Sequence, residues 1–282
     1  MLPLFLPQTA NRKLKTCWLA CLLGFWAVCL ATVNPGLSQE ILESKGIRFH
    51  LIPAGAYLLG SPENEVGRYA DEAASHRVEL SPFYIGVTEV TNAQYARFLK
   101  ATGQQAPLYW EDRNLNAPKQ PVVGVTWDEA VAFCQWLTKA TGATHRLPTE
   151  EQWEAAARGG LTGQPYPWGG EAPDAGGVYR ANYRTNIPGA SGFAFTAPVG
   201  SFPANGFGLL DMAGNVSEWC QDRYVPLNAT GPFKPGVLRL LKGGSWISGA
   251  RDLRAAARQS APPGYADGYI CFRVVRPISP GP

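Results

Sequence analysis

Lys242-Gly243-Gly244-Ser245-Trp246-Ile247-Ser248 is the stretch on which the reading of this chain turns. It reads as a glycine turn carrying a small polar residue and a tryptophan. A polar loop, Asp211 to Trp219, precedes it, and a predicted closing strand, Cys271-Phe272-Arg273-Val274-Val275, follows. Earlier in the chain, Phe49 to Gly55 reads as a strand running into a turn. His76–Leu80 and Phe83–Val87 read as two more strands, broken at Ser81-Pro82.

Three helix starts share one device. Thr91, Thr126 and Thr149 each stand three residues before Gln94, Glu129 and Gln152. The threonine can accept from the amide three residues on, and that residue's side chain can reach back to the cap amide. Apolar residues then recur at helical spacing: Tyr95, Phe98 and Leu99; Ala130, Val131, Phe133, Cys134 and Leu137; Trp153, Ala156 and Ala157. These faces predict helices packed on a sheet.

The chain has 282 residues, enough for one large domain or two small ones, with 31 Gly, 24 Pro and nine Trp. Disordered chains are poor in aromatics, so this mixture predicts a turn-rich, compact domain. The glycine- and proline-rich run from Gly159 to Gly208 needs a fastening of its own, from buried aromatics or a bound ion.

Residues 1–38 differ from the rest. Arg12, Lys13 and Lys15 precede an apolar run from Cys17 to Val33, then Gly36-Leu37-Ser38, the layout of a cleavable secretory leader. An uncleaved anchor is the rival, and only then would a membrane be a partner. Localisation is therefore expected to be exported, periplasmic or secreted. Residues 39–45 read as a polar linker, 46–278 as the domain and 279–282 as a tail. Three of the 25 Lys and Arg lie in the leader with no acid, leaving 22 against 22 Asp and Glu. A neutral domain gives no reason to expect nucleic acid. Cys134, Cys220 and Cys271 remain beyond the leader, as one pair plus a thiol or as three buried small hydrophobes.

Ordered landmarks then accumulate: Glu89-Val90-Thr91-Asn92, Val125 to Ala130, Arg146-Leu147-Pro148-Thr149-Glu150-Glu151-Gln152-Trp153-Glu154, Tyr166-Pro167-Trp168-Gly169, and Asn205 to Leu209 with Asp211 to Trp219. With the Gly-Gly-Ser-Trp turn, this order resembles the formylglycine-generating, or sulfatase-modifying factor, family. The resemblance implies a mixed α/β (α+β) fold of low regular secondary structure, related to C-type lectins.

It also implies sites. A structural calcium would be held by the Asp211 and Glu218 carboxylates and the Gly214 and Val216 carbonyls, hard oxygens suited to that ion. A second would use Asn182 with the Tyr183 and Phe193 carbonyls, but Ser191 stands where the family has an aspartate. His50, His76 and His145 have no metal-ligand spacing, which argues against zinc and iron. The family's oxidases bind copper(I) through two cysteines, and soft thiolates suit that ion. Here Ser248 occupies the first place and the second has no counterpart, so copper is not expected. Cys134 stands at a family cysteine position whose usual partner place is Val274 here, and Cys271, three residues earlier, leaves a bridge to Cys134 open.

The candidate site residues are therefore Ser245, Ser248 and Arg258, with Trp246 and Arg254 beside them. The expected role is a divergent exported oxidoreductase or maturation factor without copper/thiol chemistry. The alternative is a lectin-like binding module or an envelope-complex subunit, using a face from Ile247 to Tyr269 that carries Arg251, Asp252, Tyr265 and Asp267. The partner would be a small molecule, a peptide or a protein. Convergence of Ser248 with Arg258 in a deep pocket would favour the first reading.

Overall fold

The structure is a computed structural model that describes residues 41–187, 189–226 and 238–278. The expected leader and tail lie outside the described residues. Strand β1 (Ile41–Ser44) pairs antiparallel with β2 (Ile47–Ile52) through a two-residue turn at Lys45-Gly46. Both turn residues have positive φ, 51° and 77°, the geometry that twists a tight hairpin correctly. The stretch expected to be a linker is thus largely an edge strand. Its polar, exposed positions hid it.

The chain continues through β3 (Gly55–Leu59), β4 (His76–Leu80) and β5 (Phe83–Gly86). Helices α1 (Asn92–Thr102), α2 (Trp127–Thr141) and α3 (Glu150–Arg158) follow, then β6 (Ser217–Arg223), β7 (Arg239–Lys242), β8 (Gln259–Ala261), β9 (Ile270–Cys271) and β10 (Val275–Pro277). One sheet has the order β1-β2-β5-β10, and β3-β4 form a separate hairpin. The other four-stranded sheet runs β8-β7-β6-β9, with β6 and β9 parallel. The expected single closing strand is in fact divided. Phe272-Arg273-Val274 carries the chain from β9 in one sheet to β10 in the other, so Arg273 sits where the sheets meet.

All three capping boxes are formed, and each helix ends on a left-handed glycine: Gly103, Gly142 and Gly159. The helices' apolar faces meet in an aromatic core. Tyr95 stacks on Phe133 at 5.6 Å, and Phe133 meets Phe272 edge-on at 5.3 Å. Trp153, Ala156 and Ala157 pack instead with Phe83, Met212 and Leu240.

The Gly159–Gly208 stretch is fastened mainly by side chains bonding to backbone. Asn205 Nδ2 donates to the Ala156 and Ala157 carbonyls. Asn215 receives the Ala197 amide on Oδ1 at 2.8 Å, while its Nδ2 donates to the Ala197 carbonyl. Tyr166 and Trp168 stack at 5.0 Å. Such bonds satisfy backbone groups that no ladder reaches. Cys134, Cys220 and Cys271 are free, buried thiols, so the bridge considered above is not formed. Burial raises the pKa of each, and they behave as core residues. Among the described residues no helix is long and apolar enough to cross a membrane.

Candidate functional site

Two sequence landmarks meet in a buried ionic network. Lys242, fully buried, reaches Glu154 at 3.5 Å, and Arg158 holds the other Glu154 oxygen at 2.7 Å. Burial alone would raise the Glu154 pKa, but Lys242 and Arg158 outweigh it and keep the carboxylate below its ordinary value. The glycines that follow Lys242 have φ of 91° and 68°. A Cβ on Gly243 would lie 3.1 Å from the Trp153 ring, and one on Gly244 3.0 Å from the Asp252 carbonyl. Both conformation and space therefore require glycine, and the turn is pressed against α3.

The next residues form the floor of a cavity of about 490 Å³. The Ser245 amide donates to Ser248 Oγ at 3.0 Å, and the two hydroxyls lie 3.2 Å apart. The Ser248 amide returns a bond to the Ser245 carbonyl at 2.9 Å. The loop is anchored outside itself: the Trp246 amide donates to Asn215 O, and the Arg184 amide to Ser248 O. Trp246 Nε1 donates to Gly268 O at 3.1 Å, and its ring meets Phe195 edge-on.

Ser245 and Ser248 are brought together as expected, but Arg258 is not with them. Its guanidinium forms a two-point pair with Glu150 at 2.7 and 3.1 Å and donates to the Asp71 and Val225 carbonyls. Arg254 is buried and bound to Glu65 and Glu72. Both arginines are latches between segments. Trp246 buttresses the loop. In their place the cavity is lined by Arg184, Asp252, Gln259 and Tyr269. Asp252 was legible as part of the C-terminal face. Arg184 lies in the long irregular stretch, where no periodicity or spacing marks it. Gln259 opens the short β8, and its Oε1 accepts from Ser217 Oγ at 3.0 Å.

The calcium ligands separate into two cases. Arg273 pairs both Glu218 oxygens at 2.6 Å, and Trp153 Nε1 donates to the same carboxylate at 2.7 Å. Arg273, rather than an ion alone, thus balances Glu218. Nearby, Asp211 Oδ2 accepts the Gly200 amide, while Asp211 Oδ1 and Glu89 Oε2 are buried with no geometric hydrogen bond to another group among the described residues. Burial pushes the Asp211 carboxyl up to about 6, and burial beside Asp211 raises Glu89 well above its ordinary value. Gly214 has φ 72° with the Asn182 carbonyl 2.4 Å from any Cβ, so the loop tolerates no side chain there. Asp211 Oδ1 is thus an oxygen of the expected set with no hydrogen-bond partner among the described residues, the kind of donor a hard cation takes.

The second set centres on Asn182. Ser191, in place of the family's aspartate, donates its Oγ hydrogen to Asn182 Oδ1 at 2.8 Å, and Asn182 Nδ2 donates to Phe195 O. Among the described residues no three His, Cys, Asp or Glu side chains are grouped as a metal centre.

A mixed α+β fold with few regular elements, carrying a hydroxyl-floored cavity beside a latched double-glycine turn, defines a class in which loops rather than helices build the site. Residues 41–278 match the sulfatase-modifying factor enzyme 1-like domain, and the chain belongs to that family. The formylglycine-generating enzyme of Streptomyces coelicolor is 35% identical, over 86% of this chain and 93% of its own. A serine/threonine-protein kinase, pkn1 of Chlamydia pneumoniae, is 37% identical over 81% of this chain, which spans only 38% of that longer relative. PvdO from Pseudomonas aeruginosa superposes with a TM-score of 0.73 at 29% identity, over 84% of this chain and 98% of its own. These likenesses fit the C-type-lectin-like formylglycine-generating-enzyme fold.

Proposed function

We propose that the chain is an exported, divergent member of its family, an oxidoreductase or maturation factor that acts on a small ligand without generating formylglycine by the copper/thiol route. The observation that carries this is the cavity floor. Two serine hydroxyls stand there, and the three thiols among the described residues are buried in the cores. A serine hydroxyl is a hard donor and stays protonated near neutral pH, so this donor set does not fit copper(I). Export rests on the composition of residues 1–38.

A sulfatase-motif peptide incubated with the protein, copper and oxygen tests the negative claim by mass spectrometry. No cysteine-to-aldehyde conversion is expected. Conversion that disappears in Ser248→Ala would overturn it. Exposed Phe195, Ile247 and Tyr265, the last two lining the cavity, favour a second reading in which this face binds a partner.

One structural calcium belongs to the same proposal, held by Asp211 with Gly214 O and Val216 O, while Glu218 stays paired with Arg273. Bound there, it would supply positive charge to the unpartnered Asp211 oxygen and cross-link the loop before β6. Calcium should raise the melting temperature relative to chelator, and Asp211→Asn should remove most of that rise. Equal melting with and without calcium would refute the site.

A further inference from the structure

The cavity over Ser245 and Ser248 contains an arginine and an aspartate that leave each other alone. Arg184 and Asp252 both line it, yet no ion pair joins them within 4.0 Å. The Arg184 guanidinium is exposed and bonds to no described residue; only its backbone amide is engaged. Four arginines set deeper in the domain behave differently. Arg158, Arg254, Arg258 and Arg273 are each paired with a carboxylate. Asp252 accepts the Tyr69 hydroxyl on Oδ1 at 2.7 Å, and its Oδ2 has no partner among the described residues. The adjacent Arg251 does not neutralise it: that guanidinium donates to the Gly67 and Arg68 carbonyls and lies 3.6 Å over the Tyr69 ring.

Neutral groups in the cavity add direction. Ser245 and Ser248 share one hydrogen between their oxygens, so the hydrogen of one hydroxyl is left over. Gln259 spends its Oε1 on Ser217 and keeps its amide hydrogens. Ile247, Pro262 and Tyr265 supply exposed apolar surface. The volume lies within the usual range for small-molecule sites, about 300–1,000 Å³.

We propose that this cavity binds a small zwitterion with an apolar body, a free amino acid or a short peptide, whose carboxylate is taken by Arg184 and whose ammonium is taken by Asp252. Opposite charges held apart in one cavity are matched by a ligand that carries both, and each end then gains a charge-assisted hydrogen bond. The proposal rests on the small-ligand reading above and names its chemistry.

The test titrates the full chain by ligand-observed NMR with L-leucine and L-leucyl-L-leucine. N-acetylated and C-amidated forms of both remove one charge each. The zwitterions should bind at least about tenfold more tightly than either blocked form, equivalent to about 1.4 kcal/mol. Arg184→Gln should abolish the advantage of a free carboxylate, and Asp252→Asn that of a free ammonium. Asparagine still accepts from Tyr69, and an unchanged melting temperature verifies the fold of each variant. Preference for leucine or for the dipeptide identifies the ligand's source, and either supports the proposal. Blocked forms that bind as tightly as the zwitterions, untouched by both substitutions, would overturn it while leaving a small-ligand cavity in place. Failure of every probe to bind would overturn it as well, whereas the aldehyde assay reports separately on the Ser248 chemistry.

Discussion

Arg273 shows how much one side chain can organise. It is fully buried, pairs Glu218 at two points, and donates to the Gly86 and Leu210 carbonyls. It therefore ties β5, the loop before β6, and β6 itself to the passage between sheets. Removing it strands a buried carboxylate. Arg273→Met should cost about 3–5 kcal/mol, read as a fall in the urea midpoint. Adding Glu218→Gln should recover part of the loss, because glutamine remains uncharged and still accepts from Trp153. A double variant no more stable than the single one would show that the pair acts through geometry rather than charge.

At the scale of elements, local chemistry was legible and distant pairing was not. The three threonine caps announce themselves within four residues, and the helices begin where those residues dictate. Thr149→Ala should cost about 1 kcal/mol by chemical denaturation, since the cap amide bond is lost while α3 stays packed. Strands β7 and β8 escaped notice because they are short and their partners lie elsewhere in the chain. The cavity shares that origin. Ser245 and Ser248 are neighbours in one turn and could be foreseen together. Arg184 reaches them only because its backbone docks on Ser248 O, a contact between parts of the chain that no spacing encodes. Arg258 misled for the opposite reason: its residue type suits a site as well as it suits a latch.

For the whole molecule, ion pairs join segments far apart in sequence. Glu72 accepts from Arg254, from Ser61 Oγ at 2.7 Å and from the Tyr69 amide at 2.9 Å. Burial tends to raise its pKa, but the bonds from Arg254, Ser61 and Tyr69 prevail and hold it below the ordinary value. A depressed carboxylate contributes stability that is complete above its unfolded pKa, about 4.3. That contribution fades as pH falls through the lower, folded value. Urea midpoints should therefore drop as the pH is taken below about 4.3, and Glu72→Gln should flatten the drop. A slope unchanged by the substitution would assign the acid sensitivity to other carboxylates.

The free thiols have a consequence for how the molecule can be handled. Because Cys134, Cys220 and Cys271 are buried and unbridged, no covalent cross-link among them contributes to stability. Their partition between two separate cores turns them into built-in exposure clocks. Under an alkylating reagent each can be modified only when its own surroundings open, so peptide mapping over time would rank the cores by opening free energy.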